Sequence, residues 1–375
     1  MLTIADKITY FTFAIWITVL LQLISALQHN KVHFGNRTID QFLTITSTVL
    51  LYASVILFCA FRKIGEGIGG TDANAYMLQF ENSTGSIRAQ LSRFAGWEPL
   101  HAISLWLIRK LTDNYRVFLC IYYFLLTKFL LKYTEKYCLD KKSILSTFAI
   151  ILFMLNSFNT QRNIFAVFLG LYVIDSLERG NYKKAILLSI TATGFHFSGA
   201  IYLISIGGFY FLKYVKGKHH VKLTAYVIFS LIVSVLISKL IPRIVGGSRL
   251  SIYESGTNVS YAMILAFLFI AAYQYLNRDM IRQKETVQTL STVYLTFAPM
   301  FIFQLFYSIL YRFMLYSIPV LYILIWIYKK ITAQRKRVED YLFYIVFDLL
   351  LIIRIVPFFT ASISDIGPYS SVLFH

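Results

Sequence analysis

A chain of 375 residues, 57% of them hydrophobic and only 14% charged, with a mean hydropathy of +0.63, cannot wrap an apolar core in a polar coat. Its surface has to face lipid, which excludes a soluble enzyme or binding module. The formal net charge of +18 raises nucleic acid as a partner, but the basic residues are scattered between apolar blocks and form no stripe or tail. They read as topology signals, and no nucleic acid is expected.

In chain order, apolar blocks suited to crossing a bilayer, which takes roughly 20 residues each, fall near 8–27, 42–61, 115–132, 144–160, 161–177, 184–197, 198–213, 223–242, 259–276, 288–310, 312–328 and 341–360. Several central blocks are short enough to be merged or broken helices. The predicted fold is all-α, one polytopic integral membrane domain over 1–375 with about 12 transmembrane helices. The first block has no small-residue cleavage site after it and reads as a retained span rather than a signal peptide. Cys59, Cys120 and Cys138 lack CxxC spacing and read as small hydrophobes.

Alternate loops carry most of the positive charge. One side holds 21 basic residues, 15 of them Lys, from Lys31 to Arg337. By the positive-inside rule that side is cytoplasmic, both termini lie outside, and 62–114 forms a long outer segment. The outer side holds 13 basic residues, nine of them Arg. Topology needs charge alone, so a change from Lys to Arg points to bidentate contact with phosphate, with anionic lipid binding as the plainer alternative.

Three polar residues sit at predicted outer ends of spans: Arg162 in NTQRNIFA, His196 in TGFHFSGA and Arg312 in ILYRFMLY. At such depth an ionisable group is costly unless it meets a partner or a cavity, although one that snorkels or caps a helix is equally well explained. The outer segment adds Asp72 and Tyr76 in GTDANAYMLQF and Glu98 in GWEPLHAISLWLIRKL, which also carries His101, Arg109 and Lys110. Pro99 starts an amphipathic helix over 99–111 that is too short to span and is expected to lie in the interface or re-enter the protein. Glu98 at its N-terminus and Asp72 four residues before Tyr76 also have capping readings. Asp348 and Arg354 in the last block lie on different helix faces and are not expected to pair.

The outer face offers no paired carboxylates at metal-ligand spacing, so neither a metal nor another cofactor is expected. A diphosphate leaving group would then be stabilised by guanidinium groups. An attacking sugar hydroxyl would use His196, Asp72 or Glu98 as base. This set of groups fits glycosyl transfer from a lipid diphosphate.

These residues resemble the EpsG family of bacterial exopolysaccharide proteins, which belongs with the Wzy-type O-antigen and capsule polymerases. The resemblance runs through Arg62 ahead of G-T-D-x-x-x-Y (Gly70 to Tyr76), Glu98-Pro99, Arg162 with Ala166, His196-x-Ser198 and Tyr311-Arg312. It departs in the GEGIGG-like stretch between Arg62 and the GTD, in Leu100 where a Gly often follows the acid and Pro, and in Asn163 where Gln usually follows the Arg. The resemblance implies a GT-C-like fold, an undecaprenyl-diphosphate-linked oligosaccharide as substrate, metal-independent chain growth on the outer face of the cytoplasmic membrane, and a chain-length regulator as partner. Arg162, Arg312, Arg62 and Tyr76 would bind the diphosphate and sugar, and His196, Asp72 and Glu98 would carry catalysis. A flippase for lipid-linked sugars and a membrane acyltransferase are the rival readings. The first would show matching halves and a polar path through the membrane, and the second a His-centred site on the cytoplasmic side.

Overall fold

The computed structural model describes residues 4–28, 37–65, 68–70, 72–93, 98–137, 143–216, 218, 221–229, 232, 261–282, 284–303, 313, 315–333, 335, 337–355 and 371–372. Among them every regular element is a helix; the two β contacts, Arg62 with Ser371 and Gly65 with Ile68, are isolated bridges. The helices are α1 (Ile4–Gln28), α2 (Arg37–Ala60), α3 (Ala73–Glu81), α4 (Ile87–Arg93), α5 (Pro99–Leu111), α6 (Tyr115–Tyr137), α7 (Ile144–Leu155), α8 (Gln161–Glu178), α9 (Tyr182–Phe195) and α10 (Ile201–Tyr214). After them come α11 (Tyr261–Leu276), α12 (Arg278–Arg282), α13 (Glu285–Leu295), α14 (Ala298–Phe303), α15 (Ile318–Thr332) and α16 (Val338–Ile355).

Among the described residues, four stretches are long and apolar enough to cross a membrane: Ile8–Gln28, Arg37–Ala60, Tyr115–Lys136 and Leu315–Thr332. The chain is an all-α membrane protein. Helix α2 shows what the lipid does to the pattern. It buries Ser47, Leu51, Val55 and Cys59, one residue per turn, and turns Phe42, Ile45 and Val49 outward. In water that outer face would cost free energy. Against acyl chains it costs nothing, and the helices associate through close packing instead. Phe13 of α1 stacks on Phe58 of α2 at 3.9 Å, and Trp16 Nε1 donates to Ser54 Oγ at 2.9 Å. The opposite case is α7, buried at every residue from Ser146 to Leu155 and apolar on all faces, as an element enclosed by others must be.

The contacts divide the chain into two compact units. One comprises 1–169, 194–197 and 325–375, and the other 170–193 and 198–324. In the first, α1 packs on α2 and α7, α2 on α6, and α7 on α16. Lys329 of α15 forms an ion pair with Asp348 of α16, the partner that the acid lacked in its own helix. In the second, α10 packs on α13, and α11 on α14.

One expected span differs from what is observed. The block at 288–310 is interrupted at Thr296–Phe297, between α13 and α14. Pro299, in the first turn of α14, has no N–H to continue the ladder, and Thr296 Oγ1 donates to the Val293 carbonyl at 2.6 Å. The blocks at 184–197 and 198–213 are helices of 14 residues each, joined without a loop through His196 and a single 3₁₀ turn, Phe197–Ala200. The block at 223–242 lies largely outside the described residues.

Candidate functional site

The site belongs to the first unit and is organised around the start of α8. That start is held by α6, where Tyr122 donates to the Gln161 carbonyl at 2.7 Å and Tyr115 donates to Gln161 Oε1 at 3.1 Å. Arg162, the second residue of α8, is thereby fixed at its backbone. The preceding turn is fixed from the other side. Gly70, at φ +118°, lies so close to it that a Cβ would sit 2.3 Å from the Phe158 carbonyl oxygen, so only glycine fits there. One residue beyond Thr71, the Asp72 N–H donates to Asn159 Oδ1 at 2.9 Å. The G-T-D segment is therefore stitched to the turn that launches Arg162, and α3 starts beside it.

Helix α5 brings the acid. Pro99 opens it and Glu98 occupies its N-cap, yet the Glu98 side chain makes no capping bond. Its carboxylate is turned across to Arg162, with Oε2 against Nη1. The other oxygen, Oε1, lies 3.9 Å from His196 Nδ1. His196 is the non-helical residue that ends α9, held by Phe195 packing on Phe165 at 4.6 Å and by Gly194 lying against Leu100 of α5. Arg162 also lies over the Tyr76 ring, 5.4 Å from its centroid, and Tyr76 meets His101 edge to face at 6.5 Å. A guanidinium, a carboxylate, two imidazoles and a phenol from α3, α5, α8 and the end of α9 thus converge.

Exposure sorts these groups by what they can do. The Arg162 side chain is 25% exposed, and those of Glu98 and His196 are 12% and 13% exposed, enough to meet a ligand while held by the protein. His101 is fully enclosed. Burial, then the charges of Arg162 and His196, hold its proton affinity well below the usual histidine range, so it is a neutral imidazole at neutral pH. Burial pushes the Tyr76 hydroxyl up, with Arg162 pulling the other way, and it stays protonated.

An open cleft of about 460 Å³ leads away from Arg162. Its walls are almost wholly apolar, with Ile108 of α5, Phe118, Ile121 and Leu125 of α6, Phe165 of α8 and Phe195 of α9, and Arg162, His101 and Gln161 are also among the residues that line it. Ile121 is on the outward face of α6 with Val117 and Phe124, in a helix long enough to span, so the cleft continues a lipid-facing surface.

Of the residues singled out in the sequence, Arg162, Glu98, His196 and Tyr76 are brought together. Asp72 is exposed at the N-cap of α3, also without a side-chain capping bond. Arg62 is elsewhere. At 1% exposure it donates from Nε to the Gly69 carbonyl at 2.9 Å, from Nη1 to the Cys59 carbonyl and to Tyr123 Oη at 3.2 Å, and it lies over the Phe158 ring at 4.1 Å. Enclosed in this way, its guanidinium organises the loop behind Gly70 and offers no face to a phosphate. Arg312 and Tyr311 lie outside the described residues. His101, named in the outer segment but given no role there, is the further member of the cluster. The available signal was its position three residues after Glu98, which puts both on one face at the start of a helix.

A protein-family model described as the EpsG family matches residues 45–371. No curated protein and no solved structure matches the chain.

Proposed function

The chain belongs to the EpsG family, and on that premise we propose that it is a membrane polysaccharide polymerase, a glycosyltransferase working at the outer face of the bacterial cytoplasmic membrane. It moves a growing glycan from undecaprenyl diphosphate onto a sugar hydroxyl of an incoming lipid-linked repeat unit. The observation that carries the reading is the partly exposed Arg162 side chain, which stands beside Glu98 and His196 and also lines an apolar cleft. A phosphorylated lipid has those two chemistries in that order.

In the proposed reaction the acceptor hydroxyl oxygen attacks the anomeric carbon of the donor glycan. The bond from that carbon to the diphosphate oxygen breaks, and its electron pair leaves with undecaprenyl diphosphate. Arg162, joined by Arg312, balances the charge that grows on the departing diphosphate. The hydroxyl proton passes to His196 Nε2, while Glu98 faces Nδ1 and holds the ring. Asp72 and Tyr76 position sugar hydroxyls. The helices are taken to complete a GT-C-like arrangement of about 12 spans, with a chain-length regulator as protein partner.

The test is a complementation gel. The gene is deleted in its host, wild type or Arg162→Ala is restored, and surface polysaccharide is resolved by size. Deletion should leave single-repeat products that wild type extends into a ladder and that Arg162→Ala extends at least about a hundredfold more slowly. Loss of all surface glycan with lipid-linked repeats accumulating inside would instead assign the chain to transport.

A further inference from the structure

Glu98 stands between two cationic partners. One carboxylate oxygen is on Arg162 and the other is 3.9 Å from His196 Nδ1, just beyond hydrogen-bonding reach. Building on the reading of Arg162 as the donor-diphosphate site, we infer that Glu98 changes partner when the anion arrives, leaving Arg162 for His196, so that an occupied donor site prepares His196 for catalysis.

The Arg162 guanidinium sets the competition. Its Nε is buried with no hydrogen-bond partner among the described residues, and its Nη1 is taken by Glu98. A phosphate held bidentately takes Nη2 together with one other guanidinium nitrogen, and with Nε buried that other is Nη1, on the edge that Glu98 already occupies. Two anions cannot share that edge without strong repulsion, and the carboxylate needs only a short side-chain rotation to close the gap to Nδ1. Among the described residues, Tyr76 from α3, His101 from α5 and Arg162 from α8 face this exchange. Tyr76 and His101 keep neutral side chains at neutral pH, so neither replaces Glu98 as an anion or competes for it as a cation.

The consequence is an order of events. With the donor absent, Glu98 neutralises Arg162, and its other oxygen stays 3.9 Å from His196 Nδ1. With the donor present, the carboxylate accepts from Nδ1–H, fixes that tautomer and leaves the Nε2 lone pair for the acceptor hydroxyl. The carboxylate also stabilises the imidazolium formed as the proton transfers. Glu98 is then a positioning residue that reports the donor site to the base, which limits wasteful reaction before both substrates are bound.

The experiment measures inorganic pyrophosphate binding to the purified full-length protein in detergent across pH 5.5–8. Wild type, Glu98→Gln, His196→Gln and the double variant are compared, so that pyrophosphate's own titration cancels in the differences. Glu98→Gln removes the competitor and should bind about tenfold tighter than wild type. In the wild-type background, affinity should rise more steeply with falling pH than in His196→Gln. In the Glu98→Gln background that difference should shrink severalfold. Equal affinity of Glu98→Gln and wild type, with an undiminished His196 effect, would overturn the exchange. Should Glu98→Gln not fold, the wild-type and His196→Gln curves decide alone, since parallel curves also overturn it. Pyrophosphate binding that Arg162→Ala leaves unchanged would remove the diphosphate site itself, a failure of the underlying reading distinct from binding without exchange.

Discussion

Gly194 lies directly against Leu100: a Cβ at position 194 would come within 2.7 Å of the Leu100 side chain. The contact joins the last turn of α9 to the first turn of α5, two residues from His196 on one side and two from Glu98 on the other. It sets the spacing between His196 and Glu98.

That relationship gives a test of coupling. Gly194→Ala should be tolerated with a small loss, because the end of Leu100 can yield. Gly194→Val adds volume that Leu100 cannot clear and should cost about 1–3 kcal/mol by overpacking, with a drop in polymer length. Adding Leu100→Ala should return much of both, a non-additive result of about 1–2 kcal/mol read by thermal unfolding in detergent and by the polysaccharide ladder. Simple additivity of the two changes would show that the contact does not set the spacing.

Arg62 and Arg162 should fail in different ways. Arg62 is enclosed and holds two backbone carbonyls and the Tyr123 hydroxyl, so Arg62→Ala leaves those groups unsatisfied and should cost about 3–5 kcal/mol of stability. Lysine carries the charge but not the fork, so Arg62→Lys should rescue little. Arg162→Ala should leave most of the folded protein intact and lose chain extension. The check is the pair of melting temperatures set beside the pair of ladders. An Arg62→Ala protein that melts like wild type and makes no polymer would return Arg62 to the substrate site.

How much of this was legible follows from the range of the interactions. The membrane character and the short helix α5 could be read locally, from apolar run lengths and from Pro99 heading an amphipathic stretch, and that helix is found at Pro99–Leu111. The break at Thr296–Phe297 was also locally encoded, in Pro299, but the apolar run across it concealed the signal. Glu98 and Arg162 are 64 residues apart, and Lys329 and Asp348 are on different helices, so spacing within one helix cannot pair them. Arg62 is the clearest case. Its partners are mostly backbone carbonyls, which every residue has, and no sequence pattern distinguishes an arginine that will meet carbonyls from one that will meet phosphate.

The Asn159 side chain should matter through the backbone it holds. Its Oδ1 accepts from the Asp72 N–H, tying the G-T-D segment to the turn before α8. Asn159→Ala removes the acceptor and should loosen α3 relative to Arg162. Limited proteolysis near residues 66–72 should speed up, and chain extension should fall severalfold with only about 1 kcal/mol of stability lost. Asn159→Asp keeps an acceptor and should retain most of the function. Equal loss in both variants would point to a role for the amide N–H groups instead.

His101 makes the site sensitive to acid through stability as well as chemistry. Burial, Arg162 and His196 all lower its proton affinity in the folded protein, whereas in the unfolded chain it titrates near the ordinary 6.5. The unfolded state therefore binds the extra proton first as pH falls. Stability conferred by the neutral buried ring is fully present above about pH 6.5 and is lost as pH drops below it, at up to about 1.4 kcal/mol per pH unit for one proton. Melting temperatures of the purified protein from pH 7.5 to 5 should fall more steeply for wild type than for His101→Gln, which has no proton to gain. Carboxylates elsewhere contribute equally to both curves, so the difference isolates His101. Parallel curves would mean that the ring takes up its proton within the fold, and that its place beneath Arg162 tolerates a second positive charge.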